Sequence, residues 1–379
     1  MRIAVLLNWM KRILVNYLLC CIFVLLTSCG KEKQSDFEGI TFSKSVVALH
    51  HSGFNLNNIS LFNKVVGPDS LLILDGSSNQ FVLYNLDSKK IVLTIPVVKE
   101  GPNFFDSVLH DAEIESNQLH VVSGSYYSIY DMNGVNNFRI RLDEMFPSDE
   151  LFFSTDIHLQ SQNRMLFNRV PLSMATGINF NLIPNEDIFF SFNLEDKALE
   201  NYGVKPPEEI RLRNENAGYF QHLAINSITS NKDSILYTYP FSSKVYGYDI
   251  RNRKSFKKDL NSTYVQNERE AFPANLVAST KWIDYANSGS QFSALAKDDK
   301  TNLYARVVSE FKENKNGKKY NAKFLMIFNS NLDLIEEFEI QERILEPALF
   351  TNGKIYLKKT DQDVEDEYQF VVYTVDINN

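Results

Sequence analysis

Cysteine is scarce in this sequence: 3 of the 379 residues are cysteine, and all of them lie before residue 30. Cys20 and Cys21 fall inside an apolar N-terminal stretch, and Cys29 lies just after it. If that stretch is removed on secretion, the mature chain keeps a single cysteine. Disulfide frameworks, cysteine nucleophiles and cysteine-based metal sites are then excluded.

The motifs of several large enzyme classes are also missing. The chain has no Gly-x-Ser-x-Gly nucleophile elbow, no phosphate-binding P-loop, no Gly-x-Gly-x-x-Gly fingerprint and no His-Glu-x-x-His zinc motif. Helical stretches long enough for strand–helix–strand units are absent, which argues against a parallel α/β sheet. An all-β chain without a cofactor is therefore the favoured interpretation.

The chain also lacks an excess of positive charge. Its formal net charge is −8, and removing Arg2, Lys11 and Arg12 with the N-terminal stretch leaves 36 cations against 47 acids, a net charge of −11. Acidic surfaces repel phosphate backbones, so we expect no nucleic-acid partner. Hydrophobic residues at 44% and aromatic residues at 13% are typical of a packed globular domain.

The N-terminus has the three regions of a secretory signal. Arg2, Lys11 and Arg12 supply positive charge, Ile13 to Leu26 is largely apolar, and small residues follow. The apolar run is shorter than the roughly 20 residues that a membrane-spanning helix needs. Leu26-Thr-Ser-Cys29 resembles the lipobox of bacterial lipoproteins, which implies cleavage before Cys29 and acylation of that cysteine, for example with palmitate. An ordinary secretory signal with a chance cysteine is the alternative.

This interpretation divides the chain into three parts: a signal peptide at 1–28, a lipidated polar tether at 29–39, and a globular part at 40–379. Several acyl chains together give stable membrane anchoring. Gly30 lacks the aspartate that retains some lipoproteins in inner membranes, so we expect the outer membrane. Lys31-Glu32 partly resembles a surface-export signal that Lys33 interrupts, and the leaflet therefore stays open.

A pattern of short strands recurs six times in the globular part. Its clearest copy joins Asp69-Ser-Leu-Leu-Ile-Leu-Asp75, Gln80-Phe-Val-Leu-Tyr-Asn-Leu86 and Ile91-Val-Leu-Thr-Ile95. The copies start at residues 69, 117, 163, 233, 302 and 353, with spacings of 48, 46, 70, 69 and 51. Repeats of 40–50 residues built from short strands are typical of propeller blades, and the longer spacings indicate insertions.

The predicted fold is thus a six-bladed β-propeller. The sixth copy lacks an outer strand, and Ile40-Thr-Phe-Ser-Lys-Ser-Val-Val-Ala48 has no blade of its own. We expect this N-terminal strand to close the last blade, which leaves no long open edge. Residues 58–66 would then supply the first strand of the first blade. A pair of β-sandwiches is the alternative fold.

The lipobox together with Asp69-Ser-Leu-Leu-Ile-Leu-Asp75 and Phe81-Val-Leu-Tyr-Asn-Leu86 resembles the six-bladed, TolB-like propeller lipoproteins of Bacteroidota, in particular the domain-of-unknown-function family 4221. The resemblance covers nearly the whole mature chain. It implies the fold and a place in the cell envelope. It implies no activity, because fold alone does not determine function.

Histidine and aspartate side chains are the candidates for chemistry in the axial channel. His110, Asp111, Asp156, His158 and His222 lie shortly before strand copies, where side chains can point to the axis. Such a cluster could bind a divalent ion or supply a general base. The histidines nevertheless precede their copies by seven, five and eleven residues, which is poor register for a shared site. Polar channel lining is the simpler interpretation.

Three further features have competing explanations. Asp-Ser-hydrophobic triplets resemble the O-glycosylation motif of Bacteroidota envelope proteins at Ser70, Ser107 and Ser234, although Asp-Ser is also common turn chemistry. The acidic run 360–367 lacks the spacing of a calcium loop. The segments 170–187 and 264–292 are the expected excursions from the blades, where functional contacts tend to lie.

Three functions remain open from the sequence. The first is a non-enzymatic, membrane-anchored propeller that binds a peptide, a glycan or a partner protein. The second is a metal-dependent hydrolase or lactonase-like enzyme that uses the channel histidines and aspartates. The third is an assembly factor that works by contact with outer-membrane machinery.

Overall fold

The structure, a computed structural model, describes sixteen stretches of the chain. They are residues 40–50, 59–75, 79–98, 101, 104–105, 109–145, 152–153, 157–161, 163–168, 170–171, 187–209, 227–230, 233–269, 288–313, 319–360 and 367–377. Nearly all regular structure within them is β-strand.

The first described strand is β1 (Ile40–His50), and two four-stranded antiparallel blades follow it. Blade 1 consists of β2 (Ile59–Val66), β3 (Ser70–Asp75), β4 (Gln80–Asn85) and β5 (Lys90–Pro96). Blade 2 consists of β6 (Leu109–Glu115), β7 (Gln118–Ser123), β8 (Tyr126–Asp131) and β9 (Asn136–Arg141). A short 3₁₀ helix follows at Asp143–Met145.

The middle of the chain forms blades 3 and 4. The next strands are β10 (Phe152–Phe153), β11 (Ile157–Ser161), β12 (Arg164–Asn168), β13 (Val170–Pro171), β14 (Phe189–Asn193) and β15 (Leu199–Asn201). Blade 3 has the order β11-β12-β14-β15, whereas β10 and β13 pair separately. Blade 4 consists of β16 (Ser227–Ser230), β17 (Ser234–Thr238), β18 (Lys244–Asp249) and β19 (Lys254–Asp259).

The last third of the described chain forms blades 5 and 6. Blade 5 contains β20 (Ser290–Phe292), β21 (Ala296–Asp298), β22 (Leu303–Glu313), β23 (Lys319–Phe328) and β24 (Leu334–Ile340). Both β20 and β21 pair with β22, so the first strand of this blade is interrupted. Blade 6 contains β25 (Ile344–Thr351), β26 (Lys354–Lys359) and β27 (Glu367–Ile377).

The N-terminal strand β1 is the outer strand of blade 6. It pairs antiparallel with β27 over its whole length, from Ile40 opposite Ile377 to His50 opposite Glu367. The innermost strands contact one another in the closed cycle β2, β6, β11, β16, β21, β25 and back to β2. The fold is therefore the expected six-bladed β-propeller and not a pair of β-sandwiches.

Apolar residues on both faces of the middle strands hold the blades together. In β3, Leu71 and Ile73 pack toward blade 6, whereas Leu72 and Leu74 pack toward blade 2. Successive side chains of a strand point to opposite faces, and here both faces are covered by a neighbouring blade. This explains why Leu71-Leu-Ile-Leu74 reads as a continuous apolar run. Each such side chain contributes about 1.5–3 kcal/mol by burial.

In blades 1 to 5, the same side-chain hydrogen bond stabilises the turn that leads to the outer strand. The third strand of each ends in an aromatic residue followed by Asn or Asp, whose side-chain oxygen accepts a hydrogen bond from a main-chain N–H two or three residues on. The acceptors are Asn85, Asp131, Asn193, Asp249 and Asn329, with distances of 2.7 to 2.9 Å. An aromatic residue followed by Asn or Asp is therefore a sequence signature that blades 1 to 5 share.

The repeat predicted from the sequence corresponds to the second, third and fourth strands of a blade. Each of its six starting points lies one residue before a second strand, in the order β3, β7, β12, β17, β22 and β26. The innermost strands lie before each copy and, apart from residues 58–66, were not identified. Most of the two expected excursions, the tip of the β22–β23 hairpin and most of the acidic run 360–367 lie outside the described residues.

Candidate functional site

The structure describes three of the five histidine and aspartate candidates. His110 and Asp111 lie in β6, and His158 lies in β11, so these three are on innermost strands of neighbouring blades. Asp156 and His222 lie outside the described residues. These residues therefore lie on innermost strands, whereas a shared channel site stays a prediction.

Asp111 connects three consecutive innermost strands. Its Oδ2 accepts hydrogen bonds from Nζ of Lys64 in β2 and from the main-chain N–H of Ile157 in β11, both at 2.8 Å. Its Oδ1 accepts from the main-chain N–H of Ala112 at 2.8 Å. Lys64 Nζ also donates to the carbonyl of Ile157 at 3.3 Å. We call this arrangement the axial clasp.

The Asp111 and Lys64 side chains of the axial clasp are largely shielded from solvent and carry opposite charges. The Asp111 side chain is 7% exposed and that of Lys64 is 23% exposed, and Glu113 Oε2 lies 3.8 Å from Lys64 Nζ. A metal ion at this carboxylate would have to displace the lysine. Across the described stretches, no group of three His, Cys, Asp or Glu side chains is close enough to hold an ion. The metal site that includes Asp156 and His222 stays a prediction.

His120, which the sequence did not single out, forms a second buried polar pair on blade 2. Its Nδ1 lies 2.7 Å from the Tyr127 hydroxyl. Burial lowers the pKa of His120 to about 4, partly opposed by the negative charge of Glu113. Burial also raises the pKa of Tyr127, with smaller contributions from Glu113 and Glu115. At neutral pH both side chains are therefore neutral, and the tautomer of the imidazole sets which of the two donates.

A polar cluster lies on blade 4. Glu209 Oε1 accepts from Lys257 Nζ at 2.9 Å and from the Tyr246 hydroxyl at 3.4 Å. Burial alone would raise the pKa of Glu209, but the hydrogen bond and charge of Lys257 hold it below its usual value. The adjoining pocket has a cavity volume of about 10 Å³, which is room for about one water molecule and far below the size of small-molecule sites.

Arg306 is a fully buried charged residue on β22. Its three guanidinium nitrogens donate to the main-chain carbonyls of Ser293, Ser243 and Ser242, each at 3.0 Å. The guanidinium carbon lies 4.7 Å from the centre of the Phe292 ring. Burial lowers the pKa of Arg306 to about 9, so it stays charged at neutral pH. Arg306 thus joins the turn between β17 and β18 to the interrupted first strand of blade 5.

The Asp-Ser pairs occupy equivalent places in two blades. Ser70 and Ser234 are the first residues of β3 and β17, and both are half-buried. The carbonyls of Asp69 and Asp233 accept from the N–H groups of Leu86 and Ile250 at 2.7 and 2.8 Å. The turn chemistry is therefore present at both pairs. Glycosylation of these serines stays a prediction, and Ser107 lies outside the described residues.

Cys29, the predicted lipidation site, also lies outside the described residues. In the part of the chain that the structure covers, no helix is both long enough and apolar enough to cross a membrane.

Comparison with known proteins gives a family match and a solved structure of the same fold. The profile of the family "Domain of unknown function (DUF4221)" matches residues 40–339. A member of that family from Bacteroides vulgatus superimposes with a TM-score of 0.70 at 12% identity, covering 89% of this chain and 99% of the other. No curated protein matches the sequence.

Two more distant solved structures give weaker superpositions. BamB from Moraxella catarrhalis has a TM-score of 0.43 at 9% identity, covering 88% of this chain and 100% of the other. Virginiamycin B lyase from Staphylococcus aureus has a TM-score of 0.42 at 12% identity, covering 87% and 99%.

Proposed function

The chain belongs to the DUF4221 family, and from this premise we propose that it is a lipid-anchored protein of the cell envelope, most simply of the outer membrane. Its propeller binds a peptide, a glycan or a partner protein and catalyses no reaction. The anchoring part of the proposal is supported by Leu26-Thr-Ser-Cys29 and the positive and apolar regions before it.

The binding part of the proposal rests on the axial clasp. Asp111, which would be a ligand or general base in a channel enzyme, has both oxygens occupied by Lys64 and by two main-chain N–H groups. A group that links three innermost strands is engaged in holding the propeller together. Recognition is then left to the loops and outer strands, where propellers vary most easily.

Anchoring is tested with two single cysteine variants. Cys29→Ser should abolish incorporation of labelled palmitate and release the protein from the membrane fraction, whereas Cys21→Ser, inside the predicted signal, should change neither. Retention of label in Cys29→Ser would contradict the assignment of the lipid. Protease treatment of intact cells then identifies the leaflet, because only a surface-facing propeller is digested.

Binding is tested by cross-linking in intact envelopes, followed by capture of the solubilised chain. We expect one partner or glycan that binds saturably to the purified chain and is unaffected by chelators. An enzyme of the metal-dependent class would instead turn over ester or lactone substrates and lose that activity in EDTA. Recovery of several outer-membrane assembly components in fixed proportion would favour the assembly-factor function.

A further inference from the structure

The outer strand of blade 4 concentrates positive charge in an acidic chain. Residues 251–258 read Arg-Asn-Arg-Lys-Ser-Phe-Lys-Lys and contain five cations and no acid, although the whole sequence has a net charge of −8. All eight residues but the last are exposed. We call Arg251, Arg253, Lys254, Phe256, Lys257 and Lys258 the basic edge.

Acidic neighbours neutralise three of these cations. Arg251 Nε lies 2.5 Å from Asp233, Lys257 Nζ lies 2.9 Å from Glu209, and Lys258 Nζ lies 2.6 Å from Asp333. Asp249 and Asp259 flank the run in sequence. Arg253 and Lys254 make no ion pair with any residue that the structure describes, so both retain their charge for a partner.

Phe256 adds an exposed apolar group at the centre of the basic edge. It is 43% exposed, and its ring lies over Gly247 on β18. A Cβ atom at position 247 would lie 2.1 Å from Cζ of that ring, so the ring occupies the space that the absent side chain of Gly247 leaves. The ring is thus supported by the backbone at Gly247 and stays partly exposed to solvent.

The basic edge is not explained by general protection of sheet edges. Lysine on an edge strand discourages pairing with other chains, but that purpose is served by charge of either sign. The outer strand β24 carries Glu336, Glu337 and Glu339, and the outer strand β5 exposes Ile91 and Val92. Among the outer strands that the structure describes, β19 carries the most cations, whereas β24 carries none, which points to a partner of opposite charge.

Topology places the basic edge on the face of the propeller where β1 begins. In blade 4, the N–H of Ile250 donates to the carbonyl of Asp233, so the turn before β19 lies beside the turn between β16 and β17. In blade 6, the N–H of Val375 donates to the carbonyl of Gly353 in the same way. Ile40 pairs with Ile377, two residues beyond Val375. Ile40 and Lys254 therefore start equivalent outer strands on the same face.

From this arrangement we infer that the basic edge contacts an anionic lipid surface, with the phosphate groups of lipids as its ligands and Phe256 entering the headgroup layer. The inference rests on the proposed anchoring. Eleven tether residues reach at most about 40 Å, and they join the face that carries the basic edge. Charges act on a lipid surface only within about 10 Å. A short tether that joins the same face of the propeller favours this close approach of the basic edge to the lipid.

The test uses the full lipidated chain in vesicles that carry a lipid-linked quencher. A fluorophore at Ser255→Cys reports the basic edge, and one at Asn321→Cys, exposed at the opposite end of a blade, is the control position. We expect quenching at residue 255 in vesicles of phosphatidylcholine with phosphatidylglycerol, little in pure phosphatidylcholine, and none at residue 321. Raising the salt concentration should reverse the quenching.

Charge variants identify the residues responsible. Arg253→Gln with Lys254→Gln should lower the ratio of quenched to unquenched chain about 25-fold, at about fivefold per cation. The matched control, Lys89→Gln with Lys90→Gln, removes two cations from the equivalent turn of blade 1, across the ring from blade 4, and should lower the ratio much less. Equal quenching in both lipid mixtures, or no effect of the blade 4 variants, overturns the inference.

Flotation separates failure of the anchor from failure of the contact. A chain that floats with pure phosphatidylcholine but shows no quenching at residue 255 is anchored without the contact. A chain that floats only with anionic vesicles, in a salt-sensitive way, makes the contact without an anchor. If a soluble anionic polysaccharide shifts the fluorophore and vesicles do not, the partner is a glycan and the lipid inference is wrong.

Discussion

Truncation of Asp111 measures what the axial clasp contributes to the propeller. In Asp111→Ala, the N–H of Ile157 loses its acceptor in a buried place, which costs about 1–3 kcal/mol. Lys64 loses its partner as well. Breaking a fully buried charge pair costs about 3–5 kcal/mol, but Lys64 is 23% exposed and can turn to Glu113. We therefore expect the free energy of unfolding to fall by about 3 kcal/mol.

Urea unfolding followed by circular dichroism measures this change, and two further variants divide it. Asp111→Asn keeps the shape and one acceptor, so its loss should be about 1–2 kcal/mol. A double-mutant cycle with Lys64→Met should give a coupling of about 1–2 kcal/mol, because the two side chains are in contact. Glu339→Gln, at an exposed position on the outer strand β24, is the control and should change stability by less than about 0.5 kcal/mol.

Two results would contradict the structural role of Asp111 in the axial clasp. If Asp111 instead holds a metal ion, then EDTA should destabilise the unmodified chain as much as Asp111→Ala does, and the variant should be insensitive to EDTA. Stability of Asp111→Ala equal to that of the unmodified chain would refute the structural role.

Two further predictions concern buried groups. For His120, the folded pKa of about 4 lies below the ordinary 6.5, so the unfolded chain binds the proton first and the stability present above pH 6.5 is lost as the pH falls to about 4. The loss in the free energy of unfolding is about 3 kcal/mol. Urea titrations across this pH range should show a weaker pH dependence for His120→Gln than for the unmodified chain. Equal pH dependence in the two chains would refute the lowered pKa of His120. Arg306→Met leaves three buried carbonyls without a donor and should cost about 3 kcal/mol, with Arg306→Lys intermediate because one ammonium cannot reach all three. Equal unfolding midpoints for the Met and Lys variants would contradict this.

The middle strands of the blades were predictable from the sequence because their signals are local. Leu71-Leu-Ile-Leu74 is apolar on both faces, and the aromatic residue followed by Asn or Asp, as in Tyr84-Asn85 and Tyr248-Asp249, marks the turn to the outer strand. The pairing of the N-terminal strand was also predictable, because this strand belongs to no copy of the repeat and the last copy lacks an outer strand.

The innermost strands could not be recognised in the same way. Leu109-His-Asp-Ala-Glu-Ile-Glu115 has no clear alternation, since its polar side chains are satisfied by neighbouring blades rather than by solvent. The partner of Asp111 is Lys64, 47 residues earlier, and spacing along the chain gives no sign of it. Arg306 likewise looks like an ordinary strand cation until its three carbonyl partners, two of them on blade 4, come together around it.

The pairing of β1 with β27 has a consequence for the order of folding. The strands meet across more than 300 residues of chain, so the last blade cannot be completed until the C-terminal strand is available. Before that moment β27 or β1 has a free edge, and long-range strand pairing of this kind is slow and exposed to aggregation. A chain that emerges N-terminus first must therefore keep β1 unpaired until β27 has been synthesised, and the propeller becomes a closed structure only in its final step.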